Sequence, residues 1–109
     1  MLANLLGSIN KERVLIYLAA RDRGYAREIA RFFDASLYPV QSSMEKLEAA
    51  GVLVRRAVGT TQEYEFNPRY PVRKELMALL NRALALYPAK LRESLLLNRT
   101  RPRRSGKPL

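Results

Sequence analysis

The stretch SLYPVQSSMEKLEAAG, residues 36–51, holds one helix together with the signals that start and stop it. Ser36 stands where an N-cap oxygen can meet free backbone N–H groups. Pro39 falls in the first turn, where its missing N–H removes no helical bond. Leu37, Val40, Met44 and Leu47 recur at i, i+3, i+7 and i+10 and form one apolar stripe. Tyr38, Gln41, Ser42 and Glu45 face the opposite way, and Gly51 supplies the C-terminal stop. The face turned from the core therefore carries mostly uncharged hydrogen-bonding side chains. A helix face that is merely solvated more often carries Lys and Glu pairs.

Upstream, YAREIARFFD (residues 25–34) repeats the helical spacing, with Ala26, Ile29, Ala30 and Phe33 on one face and Arg27 and Arg31 together on another. Asp34, Ala35 and Ser36 make a brief turn between the two helices. Further upstream, Ser8 caps a helix whose Leu15, Leu18 and Ala19 share a face, and Gly24 is expected to end it. Downstream, the β-rich runs Val52–Val58 and Gln62–Phe66 flank Gly59-Thr60-Thr61, a hairpin signal. Tyr64 and Phe66 alternate with Glu63 and Glu65 as a half-buried strand requires, while Arg55 and Arg56 point to opposite faces. Pro68 and Pro71 close the hairpin and start a helix over about residues 71–86, striped by Val72, Leu76, Leu79, Leu80, Ala83 and Leu84. Pro88 breaks it, and AKLRESLLL adds a short last helix. No internal repeat is visible.

The chain has 109 residues, one domain's worth, with 48% hydrophobic and 28% charged residues, a globular balance. No apolar run reaches the roughly 18–20 residues of a membrane span, and MLANLLGSINKER lacks the pattern of a signal peptide. A soluble, cytoplasmic protein is the expectation. With no cysteine and no histidine, disulfides, thiolate chemistry and the usual general base near neutral pH are excluded. The ten acids are scattered, so neither a metal, a cofactor nor an enzymatic activity is expected. Twenty basic residues against ten acidic give a formal net charge of +10. Half of that excess lies in residues 98–109, where Arg99, Arg101, Arg103, Arg104 and Lys107 meet no acid. The surplus favours a polyanionic partner, nucleic acid foremost.

Two short helices, a tight turn and a basic hairpin in that order make a winged helix-turn-helix, a mainly α (α+β) fold with a small β wing and an extra C-terminal helix. The carriers of the resemblance are YAREIARFF, YPVQSSMEKLEAAGVLVRR, the phrase Leu47-Glu48-Ala49-Ala50-Gly51-Val52-Leu53 and the exit Tyr64-Glu65-Phe66-Asn67-Pro68. Over about residues 8–85 the chain resembles transcriptional regulators of the ArsR-like, MarR-related group. That resemblance implies a homodimer on double-stranded DNA, with the helix over about 36–50 in the major groove and the wing on backbone or minor groove. The group's founding members sense metals through Cys and His, which this chain lacks, so metal-responsive release is not inherited.

Position by position, the resemblance places Tyr38, Gln41 and Ser42 toward the bases and Ser43 near a phosphate, and it places Arg55, Arg56, Thr60 and Thr61 on the wing. Gln can pair with adenine N6/N7, and Arg27, Arg31 and Lys46 are placed to hold the backbone. Two readings stay open for Tyr38: contact with DNA, or cover for the core edge. Gln41 and Ser42 are likewise either base readers or a solvated surface. The stripe from Leu76 to Leu84 reads either as core or as a dimer seam. Because Leu79, Leu80 and Leu84 exceed what one side of a small domain needs, Leu76, Leu79, Leu80 and Leu84 are expected to form a dimer interface with Leu2, Leu5 and Leu6. The domain is expected over residues 1–97 and a basic disordered tail, a candidate DNA-contacting arm, over 98–109. The alternative function is a protein-interaction adaptor, or the partner of a separately encoded enzyme or toxin, with little specific DNA readout.

Overall fold

Seven consecutive residues, Val14 to Ala20, are buried on every side of one helix, and the other described helices pack around them. The computed structural model describes the backbone of residues 1–100 and the side chains of residues 1–96. A short α1 (Ala3–Leu6) leads into this central α2 (Ile9–Arg21), whose N-cap Ser8 accepts from the amides of Asn10 and Lys11 at 3.1 Å each. The spacing of Leu15, Leu18 and Ala19 suggests one buried face. The helix is instead enclosed, because α1, α3, α4, α5 and α6 all pack against it.

Gly24 does not end α2. Asp22, in the left-handed region at φ 74°, takes the C-cap. Gly24 lies in a two-residue strand, β1 (Arg23–Gly24), whose register sets Arg23 opposite Glu65 and Gly24 opposite Tyr64. This strand was not expected from the sequence. A Cβ on Gly24 would lie 2.8 Å from Tyr17 Cε1, so glycine is what lets β1 approach the central helix.

The helix-turn-helix is α3 (Ala26–Phe32) and α4 (Leu37–Ala49). Ser36 is the N-cap of α4 by position, but its side chain makes no capping bond. At the other end Gly51, at φ 84°, permits a paired closure: its own N–H reaches the Glu48 carbonyl at 2.9 Å and the Val52 N–H reaches Leu47 at 3.0 Å. The wing follows as β2 (Leu53–Val58) and β3 (Thr61–Phe66), antiparallel, giving a sheet ordered β1-β3-β2. Thr61 belongs to the strand opposite Val58, so Gly59 and Thr60 alone make the turn, with Gly59 at φ 62° in the first position that a type II′ hairpin reserves for glycine. Asn67 ties the wing exit to α4 by donating to the Gly51 carbonyl at 2.9 Å.

The C-terminal α5 (Arg73–Ala85) begins after Val72, two residues later than Pro71, and α6 (Ala89–Thr100) completes the fold. The last helix runs through Thr100, so the boundary expected at residue 97 falls inside it. The basic arm expected over residues 98–109 lies, beyond the backbone of residue 100, outside the described residues. Glu12 is the one buried carboxylate among the described residues, 2% exposed. It accepts from the Tyr87 hydroxyl at 2.6 Å and the Leu2 amide at 3.0 Å, pinning α1 and the α5–α6 elbow to α2. No described helix is long and apolar enough to cross a membrane.

Candidate nucleic-acid interface

The apolar stripe of α4 does what its spacing requires: Val40, Met44 and Leu47 are buried and Leu37 is partly buried against the core. With that face fixed, Tyr38 stands 80% exposed, which removes the core-edge reading of this residue. Gln41, Glu45 and Lys46 are exposed beside it and Ser42 is half-buried. Ser43 is a correction: only 7% exposed, it shares the inward face with Val40, Met44 and Leu47 and is turned away from any ligand of the outer face. The spacing 40, 43, 44, 47 is itself a helical stripe and was the signal for this placement.

The wing stands beside that face. Strand pairing sets Arg55 opposite Tyr64 and Arg56 opposite Glu63, so the two arginines leave the sheet on opposite sides. Arg55 turns toward α4, where its Nε lies 3.2 Å from Glu48 Oε2. Arg56 turns outward and shares Glu63 with Arg23, at 3.5 Å and 3.9 Å. Both pairs are open to solvent, where an ion pair contributes between about 0 and 1 kcal/mol, so a phosphate could replace either carboxylate at small cost. Burial pushes the Tyr64 phenol above its ordinary value, although the neighbouring Arg55 draws it down. Thr61 Oγ1 donates to the Val58 carbonyl at 2.8 Å and is committed to the turn, while Thr60 is exposed at the tip.

Between the start of α3, the start of α4 and the wing lies an open cleft of about 240 Å³. Arg27, Gln41, Arg55, Thr60 and Thr61, all singled out in the sequence, line it together. Tyr25, Ala26, Leu37, Gln62 and Tyr64 complete the wall, and sequence reasoning did not select Tyr25 or Gln62. Arg31 is exposed on α3 but away from this cleft, beside a second hollow formed with Arg21, Tyr25, Glu28 and Phe32. Among the described residues no group of three or more Asp or Glu side chains is placed to hold a metal ion.

The expected dimer residues separate. Leu80 (0% exposed) and Leu84 (6%) are core residues of this chain, packed inward because α5 lies along α2. Leu76 is partly buried against the same core, and Leu79, 41% exposed, is left at the surface. At the N-terminus Leu2 is buried, Leu6 half-buried and Leu5 71% exposed. Ile9 and Leu86 are further exposed apolar side chains that the sequence reading did not select, and Val72, placed in the apolar stripe by its spacing, is exposed as well.

No protein-family model matches the sequence, and no curated protein matches it. Among solved structures, the fold is similar to the crystal structure of the adhesin competence repressor from Streptococcus pyogenes. The TM-score is 0.51 at 18% sequence identity, over 85% of this chain and 81% of that one. With the helix pair, the three-stranded antiparallel wing and the C-terminal helices in place, the chain is a winged helix-turn-helix protein.

Proposed function

We propose that the protein binds double-stranded DNA as a transcriptional regulator of the ArsR- or MarR-like kind, as a homodimer and without metal, cofactor or catalytic step. Helix α4 enters the major groove and the β2–β3 wing lies on the flanking backbone or minor groove. The observation that carries this reading is the shared cleft, in which Gln41 of the outer α4 face, Arg27 of α3 and the wing's Arg55, Thr60 and Thr61 converge. Tyr38, Gln41 and Ser42 are the base readers, since Gln and Ser offer donors and acceptors matched to base edges. Lys46, Arg27, Arg31, Arg55 and Arg56 hold phosphates, which sets affinity without reading sequence. Ser43 has no part in this surface.

A homodimer fits the exposed Leu5, Ile9, Val72, Leu79 and Leu86, which a monomer leaves in water. The same residues support the second reading, an adaptor that docks on another protein. One experiment separates the two. Binding is measured to the duplex upstream of the protein's own gene and to a shuffled duplex, across salt, for the full chain and for a form ending at Thr100. A preference for the native duplex that survives moderate salt and truncation supports a specific regulator. Equal binding that collapses with salt supports charge-driven association and the adaptor.

A further inference from the structure

We infer that Arg21 is a positioning residue for duplex binding, a strut through which the placement of α6 sets the pose of the reading helices. The inference rests on the DNA-binding reading above and names a residue that lies outside the reading surface.

Arg21 is the last residue of α2, and its guanidinium donates to groups in two elements. Its Nη1 donates to the Tyr17 hydroxyl at 2.7 Å, within α2. Its Nε donates to the Leu95 carbonyl at 3.0 Å and its Nη2 to the Ser94 carbonyl at 3.1 Å, both in α6. The same group lies 4.6 Å from the centre of the Tyr17 ring and 4.9 Å from that of Phe32, the last residue of α3. One side chain thus joins three helices.

The chemistry of the joint makes it sensitive to position. A planar fork that donates to two neighbouring carbonyls needs both at the right distance and angle, so it responds to where α6 lies and not to which side chains α6 carries. If α6 shifts, the guanidinium either loses its carbonyls or slides off the Phe32 face. Phe32 in turn packs edge-on against Tyr17 at 5.7 Å and against Phe33 at 4.9 Å. The chain then turns through Asp34, held at φ 53°, straight into α4. This tight turn leaves little slack between the end of α3 and the start of the reading helix.

The test uses the full chain with Arg21→Gln, which removes the charge and most of the fork, and Arg21→Lys, which keeps the charge alone. Amide hydrogen exchange is measured on the free protein. Affinity for a duplex selected from a random pool is measured across salt. The expected result for Arg21→Gln is a joint loss of protection in residues 91–96 and 29–36 while the wing and α5 keep theirs. Affinity falls about 10-fold with an unchanged salt slope, because no phosphate contact is lost. Arg21→Lys follows Arg21→Gln, since one ammonium cannot span two carbonyls and a phenol while stacked on two rings. Loss of protection confined to residues 91–96 overturns the coupling. A salt slope reduced by about one overturns the positioning role in favour of a phosphate contact. A wild-type chain that binds no duplex overturns the DNA reading and the functional half of this inference with it. The exchange arm, run without DNA, still decides whether the strut exists.

Discussion

Arg55 Nε and Glu48 Oε2 stand 3.2 Å apart, joining the first wing strand to the end of the helix proposed to read DNA. Their side chains are 44% and 30% exposed, so the pair contributes at most about 1 kcal/mol to stability. Its larger effect is on charge: Glu48 offsets the charge of an arginine that lines the cleft. The substitution Glu48→Gln is therefore expected to move the thermal midpoint by no more than a few degrees. It should strengthen binding to all duplexes alike, and more so at low salt. Calorimetry and a salt-dependent titration check the two halves.

Gln41 and Arg56 should fail in different ways. Loss of a bidentate base contact through Gln41→Ala is expected to remove about 1–3 kcal/mol of discrimination at one base pair and leave the others intact. Arg56→Ala should weaken every sequence and lower the salt slope by about one. Selection from a random duplex pool with each variant gives the comparison. If Gln41→Ala changes neither affinity nor preference, α4 is not the reading helix.

What the sequence made legible was local. The stripe of α4, its glycine stop and the alternation of Glu63, Tyr64, Glu65 and Phe66 each follow from short-range periodicity, and each stands in the fold as spaced. Long-range contacts were not legible. Strand β1 is two residues without a strand pattern, created by pairing with β3. Leu80 and Leu84 looked surplus because nothing local says that α2 needs covering on that side. Arg21 reaches carbonyls 73 and 74 residues away, and a backbone acceptor leaves no mark in a sequence. The cleft residues were legible one at a time, but their convergence depends on how the wing folds back toward α4.

Gly24 tests the importance of β1. A methyl group there would meet the Tyr17 ring at 2.8 Å and Glu28 Oε1 at 3.0 Å, and Tyr17 is fully buried with its hydroxyl engaged by Arg21. The ring has nowhere to go. Gly24→Ala is expected to destabilise the fold by about 1–3 kcal/mol, the usual range for overpacking. Urea unfolding measures it, and an unchanged midpoint would show that the wing base can shift freely.

Glu12 predicts how stability depends on pH. Burial alone would raise its pKa, but the Tyr87 hydroxyl, the Leu2 amide and the nearby terminal ammonium outweigh burial and hold the carboxyl below 4.5. A group depressed in the folded state stabilises the fold above its unfolded value. That contribution is lost as the pH falls through the folded value, so the acid limb begins near 4.5 and continues downward. The phenols act at the other end. Burial foremost pushes Tyr17 up to about 12 and Tyr87 well above 10, and their stabilisation, complete below about 10, is lost as the pH rises through the folded values. Tyr87→Phe is expected to cost about 1.5–3 kcal/mol at neutral pH, because it removes a hydrogen bond to a charge, and to flatten the acid limb. Chemical denaturation of both proteins between about pH 3 and about pH 7 checks it. A Tyr87→Phe curve parallel to wild type would show that this bond does not set the Glu12 titration.

The last prediction separates fold from assembly on helix α5. Leu80 is fully buried and Leu79, the residue before it, is 41% exposed. Leu80→Ala is expected to cost about 2–5 kcal/mol in unfolding free energy at any protein concentration, since it leaves a cavity inside one chain. Leu79→Glu leaves that core filled and places a charge on the apolar surface proposed to meet a second copy. It should therefore dissociate the dimer in sedimentation while leaving the helical circular dichroism intact. A dimer also ties stability to concentration, because only the folded form associates. The wild-type thermal midpoint should rise with protein concentration and that of Leu79→Glu should not. If both midpoints are independent of concentration and the wild type sediments as a monomer, the exposed leucines serve a different partner and the adaptor reading gains.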